Sequence, residues 1–357
     1  MNDLDHMRHA LTLTERALGR VAPNPAVGCV IVSPDDRVLG RGWTQPGGRP
    51  HAETVALAQV GQAARGSTAY VTLEPCAHHG HTPPCAEALV AAGVARVVAA
   101  VEDPDPRVKG KGFALLRGAG IDITTGVLEK DAAELNAGFF LRIKEDRPLV
   151  ALKIAQSRDG KTIPPPGASR WITGEEARRF AHLLRAKHDA VLVGVGTVLA
   201  DDPMLDCRLP GLEDRSPIRV VLDTHLRLPT NSRLAQTALR ISTIVFTTAE
   251  GGEDLERLGT EVLRVMKGAQ GRPDLRAVLG VLAQRGMTRL LVEGGPTVIS
   301  RFLEESLADC LEVFTAPTEL GDTASGEIAG LSDRTRFLRT ATRKLGPDLL
   351  ESYRLRA

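Results

Sequence analysis

Three potential metal ligands, His51, Cys76 and Cys85, constrain the fold of this chain more than any other feature. They can hold one zinc ion only if the chain brings them together on rigid elements. The local sequence favours this arrangement, because His51 immediately precedes a predicted helix and Cys76 follows a predicted strand over residues 69–73. Cys85 follows two prolines, and proline favours the first turn of a helix. We therefore expect a layered α/β domain around these residues.

One imidazole and two thiolates leave a fourth zinc position open for water, which zinc can convert to hydroxide near neutral pH. Glu53, two residues after His51, can accept a proton from that water and deliver it to a leaving amine. His-x-Glu followed by Pro-Cys and a second cysteine is typical of zinc deaminases, although eight residues rather than two separate these cysteines. The alternative is a structural zinc site in which His78, His79 or His81 supplies a fourth ligand.

The composition limits the classes of partner. Lys and Arg number 45 against 44 Asp and Glu, and aromatic residues make up 3% of the chain, whereas nucleic-acid binders usually have a basic excess and stacking aromatics. No apolar run is long enough for a membrane span, and the N-terminus has no apolar signal region. Five cysteines, an odd number, suit a reducing compartment. We expect a cytoplasmic protein with a small-molecule substrate and neither a nucleic-acid nor a membrane partner.

The chain of 357 residues is long enough for two domains of about 150 residues each. Aliphatic runs alternate with amphipathic stretches in both halves, which predicts α/β domains. The predicted strands cover residues 27–32, 69–73, 97–101, 121–125, 149–154, 190–195, 218–222, 243–246 and 289–293, and the predicted helices 52–60, 86–92, 174–186 and 298–307. A charged segment that ends in Pro148 predicts the boundary between domains 1–146 and 147–357.

Several longer motifs together resemble one family, the bifunctional riboflavin-biosynthesis deaminase/reductases often called RibD or RibG. The motifs are PNPAVGCVIV at 23–32, HAE at 51–53, TLEPCAHHGHTPPC at 72–85, DPDP at 103–106 and KGKG at 109–112. The resemblance covers essentially the whole chain. It implies an N-terminal cytidine-deaminase-like α/β/α domain and a C-terminal dihydrofolate-reductase-like α/β domain.

The resemblance also implies two activities. The first domain would use Zn²⁺, held by His51, Cys76 and Cys85, to deaminate 2,5-diamino-6-ribosylamino-4(3H)-pyrimidinone 5′-phosphate, with Glu53 as the catalytic proton shuttle. The second would use NADPH to reduce the ribosyl side chain, which gives 5-amino-6-ribitylaminouracil 5′-phosphate. The enzyme would be a homo-oligomer that acts on a pyrimidine ribose phosphate. A nucleic-acid deaminase with an appended module, and a deaminase joined to a non-catalytic nucleotide sensor, are the competing interpretations.

Residues of the second half match the family pattern in order along the chain. The implied cofactor contacts are Ala155, Trp171, Thr197, Asp201, Thr224, Gly295, Pro296, Thr297, Val298, Ile299, Ser300 and Arg301. The implied substrate contacts are Ser169, Arg185, Leu205, Arg208 and Glu293. Read alone, Trp171 is also compatible with a core residue, and Arg185 with a solvated helix face, which is the commoner position of a helix arginine.

Four departures from the family pattern affect the expected contacts. His81 stands where lysine or arginine is frequent, so a permanent charge becomes a titratable one. Asp105 stands where asparagine is frequent, which removes an amide donor from the expected substrate loop. Arg158 replaces an aliphatic residue, and residues 163–166 replace a smaller, less rigid stretch. None of these departures involves the predicted zinc ligands.

Overall fold

The chain folds into two compact units, Met1–Asp146 and Arg147–Ala357. The structure is a computed structural model that describes residues 2–79, 83–331, 333 and 335–356. His81 lies outside the described residues. Each unit is built on one β-sheet, and the predicted α/β class is confirmed for both. None of the helices in the described ranges has the length and apolar character that crossing a bilayer requires.

Unit 1 contains a five-stranded mixed sheet with the strand order β2-β1-β3-β4-β5. Strand β1 is antiparallel to both β2 and β3, whereas β3, β4 and β5 run parallel. The strands are β1 (Gly28–Val32), β2 (Val38–Trp43), β3 (Thr68–Val71), β4 (Arg96–Ala99) and β5 (Asp122–Thr125). The helices are α1 (Asp3–Thr14), α2 (Ala52–Val60), α3 (Cys85–Ala91), α4 (Lys111–Gly118), α5 (Glu129–Leu135) and α6 (Ala137–Glu145).

Helices cover both faces of this sheet, as the α/β/α prediction requires. Successive side chains of a strand point to opposite faces. In β1, Cys29 and Ile31 therefore pack with α2, α3 and α4, whereas Val30 and Val32 pack with α1 and α5. This double burial explains why β1 reads as an unbroken apolar run.

Strand β2 was absent from the sequence prediction, because its glycines interrupt the alternation of apolar side chains. Gly42 permits a very close approach of β2 to the start of α2. A Cβ atom at this position would lie 2.0 Å from the carbonyl oxygen of Ala52. The glycine therefore fixes where α2 begins relative to the sheet, and His51 and Glu53 lie at that helix start.

Unit 2 contains a nine-stranded sheet with the order β10-β9-β8-β7-β11-β6-β12-β14-β13. Its strands run parallel from β10 to β12, and an antiparallel pair follows at one edge. The strands are β6 (Leu149–Gln156), β7 (Ala190–Gly194), β8 (Ile218–Leu222), β9 (Thr243–Thr247), β10 (Glu261–Arg264), β11 (Arg289–Val292), β12 (Cys310–Thr315), β13 (Phe337–Leu345) and β14 (Asp348–Leu355). The helices are α7 (Glu175–Ala186), α8 (Val195–Asp201), α9 (Arg233–Gln236), α10 (Glu253–Arg257), α11 (Leu275–Gln284) and α12 (Pro296–Glu304).

The main core of unit 2 lies between the sheet and helices α11 and α12, which contribute side chains such as Leu279 and Phe302. On α7, Phe180 contacts Phe314 of β12, with ring centroids 6.1 Å apart. All five strands predicted in this half are observed, whereas β10, β12, β13 and β14 were not predicted. In β13 only the first and last residues are buried, so the strand has no buried face that would produce an alternating pattern.

His188, two residues after the end of α7, is a buried histidine with an incomplete set of hydrogen bonds. Its exposed fraction is 4%. The Nδ1 atom lies 2.6 Å from the carbonyl oxygen of Leu184, so Nδ1 carries the proton and donates. The Nε2 atom has no partner among the described residues. Burial, reinforced by the charge of Arg289, lowers the pKa of His188 to about 3.

We expect His188 to make the stability of the protein depend on pH. Because its pKa in the folded state is below the ordinary value of 6.5, the unfolded state binds the extra proton as the pH falls. This proton binding has almost no effect at pH 7, and it lowers the free energy of unfolding by about 2 kcal/mol at pH 5. Urea unfolding measures the fall in the free energy of unfolding between pH 7 and pH 5. This fall should be smaller by that amount in His188→Gln than in the wild type. The exposed His225→Gln variant should retain the wild-type loss, and equal losses in all three proteins would contradict the assignment.

Candidate active sites

The structure brings His51, Cys76 and Cys85 together at one end of the sheet of unit 1. Their potential ligand atoms lie within 4.8 Å of one another. The His51 Nδ1 atom is 3.3 Å from Cys85 Sγ and 3.6 Å from Cys76 Sγ. His51 is the N-cap of α2, Cys76 lies in the loop after β3, and Cys85 is the first residue of α3. Two helix starts and one strand end therefore present the three groups.

The donor set of this cluster fits zinc. Hydrogen bonds from the Cys85 side chain, and then from His51, lower the pKa of the Cys76 thiol to about 4. The backbone N–H of Cys85 also donates to Cys76 Sγ over 3.3 Å. Two thiolates and one neutral imidazole are ordinary zinc ligands. Within the described part of the chain, the cluster contains no fourth His, Cys, Asp or Glu donor, which is the composition of an open rather than a closed site.

The two histidines of the alternative zinc site that the structure describes are not part of this cluster. The Nε2 atom of His79 lies 3.0 Å from a carboxylate oxygen of Glu87, and its side chain is 72% exposed. His78 lines the adjacent cavity. The described geometry therefore places neither His78 nor His79 among the clustered donors.

Glu53 lies beside the metal cluster in the first turn of α2. Its exposed fraction is 3%, yet it lines a cavity of about 270 Å³ that also contains His51 and Cys76. Burial, followed by the charge of Cys76, raises the pKa of Glu53 to about 7. A carboxyl group with this pKa can both accept and donate a proton near neutral pH.

Glu74 holds the loop that forms the opposite wall of this cavity, a role that the sequence analysis did not identify. One carboxylate oxygen accepts the backbone N–H groups of Asp103 (3.3 Å) and Gly110 (3.0 Å), and the other accepts those of Gly112 (3.0 Å) and Phe113 (3.3 Å). Burial raises the pKa of Glu74, and the four N–H groups oppose this shift. The only sequence signal was a charged residue in a segment otherwise expected to be buried.

Replacing Glu74 with glutamine should therefore disturb this loop. The new NH₂ group would face two backbone N–H donors and leave them without an acceptor in the interior. We expect unit 1 to lose about 2–3 kcal/mol of stability, and the predicted deamination to weaken because the cavity wall shifts. Urea unfolding and ammonia release would measure the two effects. Glu102→Gln, a change at an exposed neighbouring glutamate, is the matched control, and equal stability of the two variants would contradict this role.

Asp105, one of the departures from the family pattern, is paired with a cation at the cavity wall. The Nε atom of Arg107 lies 2.9 and 3.0 Å from its two carboxylate oxygens. The Asp105 side chain is 6% exposed and that of Arg107 is 72% exposed, and both residues line the cavity. The side-chain hydrogen bond from Arg107 lowers the pKa of Asp105. The amide donor that asparagine would supply is thus replaced by a guanidinium group held in place by a buried carboxylate.

In unit 2, Arg185 and Glu293 form a buried ion pair. Arg185 Nε and Nη2 lie 2.6 and 2.9 Å from the two carboxylate oxygens of Glu293, and Nη1 donates to the carbonyl oxygen of Asp206 at 3.0 Å. The side chains are only 13% and 8% exposed, so Arg185 is not a solvated helix-face residue. Burial opposes ionisation of Glu293, but the charge of Arg185 outweighs it and holds the pKa of Glu293 at about 2.

Lys153, on strand β6 in the interior of the sheet, lies beside this pair and was assigned no individual role from the sequence. Burial lowers its pKa, and the charge of Glu293 opposes that shift. Its Nζ atom lies 5.7 Å from the ring centroid of Phe314. A single cationic residue within an otherwise aliphatic strand was the signal available in the sequence.

Two cavities of unit 2 share Lys153, Ala155 and Glu293 and therefore adjoin. The large cavity, of about 1280 Å³, lies along the carboxyl ends of the parallel strands and the start of α12. The small cavity, of about 430 Å³, lies beside α7 and the loop over residues 202–208. Their arrangement provides two binding regions with a common wall.

Most predicted site residues of unit 2 line one or both cavities. The large cavity contains Ala155, Thr197, Asp201, Thr224, Gly295, Pro296, Thr297, Val298, Ile299 and Arg301. The small cavity contains Trp171, Arg185, Leu205, Arg208 and Glu293. Trp171 is 53% exposed, which excludes the core interpretation, and it lies with the predicted substrate contacts rather than in the large cavity.

Ser169 and Ser300 line neither described cavity. The hydroxyl of Ser169 accepts the backbone N–H of Trp171 at 3.2 Å, and that of Ser300 accepts the backbone N–H of Ala329 at 2.9 Å. Both hydroxyl groups therefore hold neighbouring backbone in place. Arg158, another departure from the family pattern, pairs with Glu319 at the surface.

The glycine-rich segment after β11 has the geometry of an anion site. Gly295 is the N-cap of α12, and Pro296 occupies its first turn. Backbone N–H groups at a helix start favour phosphate. This arrangement, together with the size of the large cavity, fits the pyrophosphate of a dinucleotide.

Comparison with known proteins gives matches to both units. The profile of the family described as "Cytidine and deoxycytidylate deaminase zinc-binding region" matches residues 1–101, and that of the "RibD C-terminal domain" matches residues 148–350. The riboflavin biosynthesis protein RibD of Aquifex aeolicus is 41% identical over 98% of this chain and 97% of its own length. The Escherichia coli protein of the same name is 40% identical over 98% of both chains.

Solved structures give the same result at the level of the fold. An Acinetobacter baumannii RibD structure has a TM-score of 0.89 and 39% identity, and it covers 99% of both chains. A Thermotoga maritima diaminohydroxyphosphoribosylaminopyrimidine deaminase/5-amino-6-(5-phosphoribosylamino)uracil reductase has a TM-score of 0.87 and 34% identity over 99% of both chains.

Proposed function

Since the chain belongs to the RibD family of riboflavin-biosynthesis enzymes, we propose the residues through which it carries out the two reactions of that family. It is a bifunctional enzyme with a zinc-dependent deaminase domain and an NADPH-dependent reductase domain. The boundary that we propose between them lies at residues 146 and 147. The assignment rests on one feature of each unit. Unit 1 contains an open His-Cys-Cys cluster beside buried Glu53, and unit 2 contains two adjoining cavities.

In the deaminase domain, His51, Cys76 and Cys85 hold zinc, which when bound lowers the pKa of water enough for attack near neutral pH. Glu53 accepts the proton of the attacking water on its carboxylate and transfers it to the departing amine nitrogen. Its burial supports this role, because bulk water has little access to the carboxylate. The substrate is 2,5-diamino-6-ribosylamino-4(3H)-pyrimidinone 5′-phosphate, and ammonia leaves from the ring carbon that carried the 2-amino group.

In the reductase domain, NADPH when bound supplies the hydride that reduces the ribosyl side chain. The proposed cofactor contacts are Ala155, Trp171, Thr197, Asp201, Thr224 and residues 295–301, and the proposed substrate contacts are Ser169, Arg185, Leu205, Arg208 and Glu293. Arg185 uses three of its five N–H groups on Glu293 and Asp206, so two remain for an anionic substrate group such as phosphate. Glu293 holds the guanidinium plane in a fixed orientation.

A coupled assay tests the proposed function. The purified protein is incubated with the diaminopyrimidinone phosphate and NADPH, and ammonia release and NADPH oxidation are followed together. Both signals should appear in sequence. A zinc chelator should stop ammonia release but leave the oxidation of NADPH by separately supplied deaminated intermediate. Ammonia release that survives complete removal of the metal would contradict the zinc site.

We further propose that the enzyme is a homo-oligomer that associates through the edge strand β13. This nine-residue strand has its inner seven residues exposed, and exposed edge strands readily pair with another chain. Leu338, Leu349 and Leu355 of β13 and β14 are also exposed (53%, 41% and 39%). Light scattering should give at least a dimer for the wild type and a monomer for Leu338→Glu. Leu239→Glu, at an 88% exposed leucine elsewhere, should remain oligomeric, and a monomeric wild type would contradict the proposal.

A cytoplasmic location is also proposed. All five cysteines are free thiols, and the two in the metal cluster must stay reduced to bind zinc. Cell fractionation followed by immunoblotting tests this location, and recovery in a membrane or secreted fraction would contradict it.

A further inference from the structure

Arg107 lies at the rim of the cavity in unit 1, with part of its guanidinium group unused. Its side chain is 72% exposed, and it lines the same cavity as His51 and Glu53. The Nε and Nη2 atoms both donate to Asp105. A guanidinium group has five N–H donors, so three remain without a partner among the residues that the structure describes. Available donors on a permanent cation at a cavity rim favour an anionic ligand.

Asp105 fixes the orientation of this guanidinium group. Its side chain is 6% exposed, and one of its carboxylate oxygens also accepts the backbone N–H of Arg107 at 2.9 Å. The carboxylate therefore holds both the backbone and the guanidinium group of the same residue. An arginine that is oriented in advance loses less side-chain entropy when it binds a ligand than a freely moving arginine does.

The loop that carries the pair is fixed on both sides of it. The backbone N–H of Asp105 donates to the carboxylate of Asp103 at 2.8 Å. Glu74 accepts the backbone N–H groups of Asp103 and Gly110, which lie before and after Arg107 in the sequence. The position of Arg107 relative to the cavity is therefore set by buried carboxylates of the cavity wall.

Two other arginines line this cavity, but their surroundings differ. Arg49 lies two residues before His51 and therefore belongs to the metal end, and Arg142 lies on α6. Both are half-buried, and both already interact with other residues. Arg107 is the exposed member of the three, on the wall opposite the metal cluster.

The structure of the substrate separates its phosphate from the reacting carbon. The ring carbon that loses its amino group must face the metal ligands and Glu53, whereas the ribosylamino group is attached to a different ring carbon. The ribose 5′-phosphate therefore extends away from the metal. The loop over residues 103–110 forms the wall on that side of the cavity.

Unit 2 holds an arginine in the same manner. Arg185 uses its Nε and Nη2 atoms on the two carboxylate oxygens of buried Glu293, and Arg107 uses the same two nitrogens on Asp105. The substrates of the two domains carry the same ribose 5′-phosphate. An arginine oriented by a buried carboxylate is thus present in the candidate substrate cavity of each domain.

From these observations we propose that Arg107 binds the 5′-phosphate of the deaminase substrate and that Asp105 is its positioning residue. The pair makes the deaminase select the phosphorylated compound over the dephosphorylated one. It also accounts for two departures from the family pattern: His81 stands in place of a permanent charge and Asp105 in place of an amide donor. Arg107 supplies a permanent charge in this chain, and Asp105 orients it. The inference rests on the deaminase function proposed for unit 1.

The test compares two compounds that differ only in the phosphate. Ammonia release by the zinc-loaded full-length protein is measured with 2,5-diamino-6-ribosylamino-4(3H)-pyrimidinone 5′-phosphate and with the same compound lacking the phosphate. The wild type should have a much lower KM for the phosphate. Arg107→Ala should raise this KM about tenfold, leave kcat nearly unchanged and leave the kinetics with the dephosphorylated compound as in the wild type. Arg107→Lys, which keeps the charge but not the planar fork, should retain part of the selectivity.

Asp105→Asn tests the positioning role, because asparagine keeps the size of the side chain and removes the charge that holds the guanidinium group. This change should raise the KM for the phosphate while Arg107 is present and should add nothing in the Arg107→Ala background. An equal effect in both backgrounds would show that Asp105 acts independently of Arg107 and would overturn its positioning role.

Lys109→Ala is the matched control, because it removes an exposed cation from the same loop that does not line the cavity. It should treat both compounds as the wild type does. Loss of activity with both compounds equally in Arg107→Ala, or with neither, would overturn the phosphate contact. A wild type that deaminates the two compounds with equal kcat/KM would overturn that contact alone. A wild type that deaminates neither compound would instead overturn the deaminase assignment from which the contact is inferred.

Discussion

Replacement of Glu53 by glutamine is expected to reduce ammonia release by about 10³-fold while the protein keeps one equivalent of zinc. Glutamine has nearly the same shape but cannot accept and return a proton. Because Glu53 is not one of the three clustered donors, its loss should leave the metal affinity unchanged. The reductase domain is a separate unit, so oxidation of NADPH by supplied deaminated intermediate should continue at the wild-type rate.

Glu87→Gln is a matched control for this variant. Glu87 also lies in the first turn of a helix that begins at the metal cluster, but its side chain is 41% exposed and contacts His79. This control should retain nearly full deamination. Ammonia release, zinc content by metal analysis and NADPH oxidation would be measured on both variants. Undiminished ammonia release in Glu53→Gln would reject the proposed proton shuttle, and loss of zinc would show that Glu53 supports the metal site instead.

Replacement of Arg185 by alanine is expected to abolish reduction and to destabilise unit 2 by about 3–5 kcal/mol. The variant would leave the Glu293 carboxylate buried without its cation. The sequence implied only a substrate contact for Arg185, whereas the burial of both side chains adds this stability loss. Urea unfolding and NADPH oxidation would measure the two effects, and ammonia release from unit 1 should be unaffected.

A second substitution separates stability from function. In Arg185→Ala/Glu293→Gln the buried charge is removed together with its partner, so much of the lost stability should return. Reduction should remain absent, because the proposed substrate-binding guanidinium is still missing. Recovery of reductase activity in the double variant would show that Arg185 acts only on stability. A single variant as stable as the wild type would contradict the structural role of the pair.

The sequence was most informative where a short local pattern determines the secondary structure. Cys76 and Cys85 could be selected as metal ligands from their surroundings. Cys76 follows the end of a predicted strand, and Cys85 follows two prolines that mark the start of a helix. Strands β6, β7, β8, β9 and β11 were found because they are largely buried on both faces and therefore predominantly apolar. Strand β13, in which only the first and last residues are buried, was not predicted.

Interactions between distant segments could not be predicted. Glu74 and the loop over residues 103–113 are joined only by backbone donors, which have no side-chain signature. The electrostatic environment of Lys153 depends on Arg185 and Glu293, which lie far away in sequence. The pairing of Asp105 with Arg107 is local, but whether such a pair faces a cavity depends on the tertiary fold. The sequence therefore supplied candidates for the reacting groups but few for the residues that support them.

The close contact between Gly42 and Ala52 makes the deaminase domain sensitive to substitution of residue 42. Glu53 and His51 are carried by α2, whereas Cys76 and Cys85 belong to other segments, so the spacing of these groups is set by how closely the helix rests on β2. A single methyl group at residue 42 would push the helix start outward. The domain could retain its secondary structure and yet no longer align its carboxylate with the metal. A substitution at a residue that does not contact the pyrimidine can thus inactivate the enzyme.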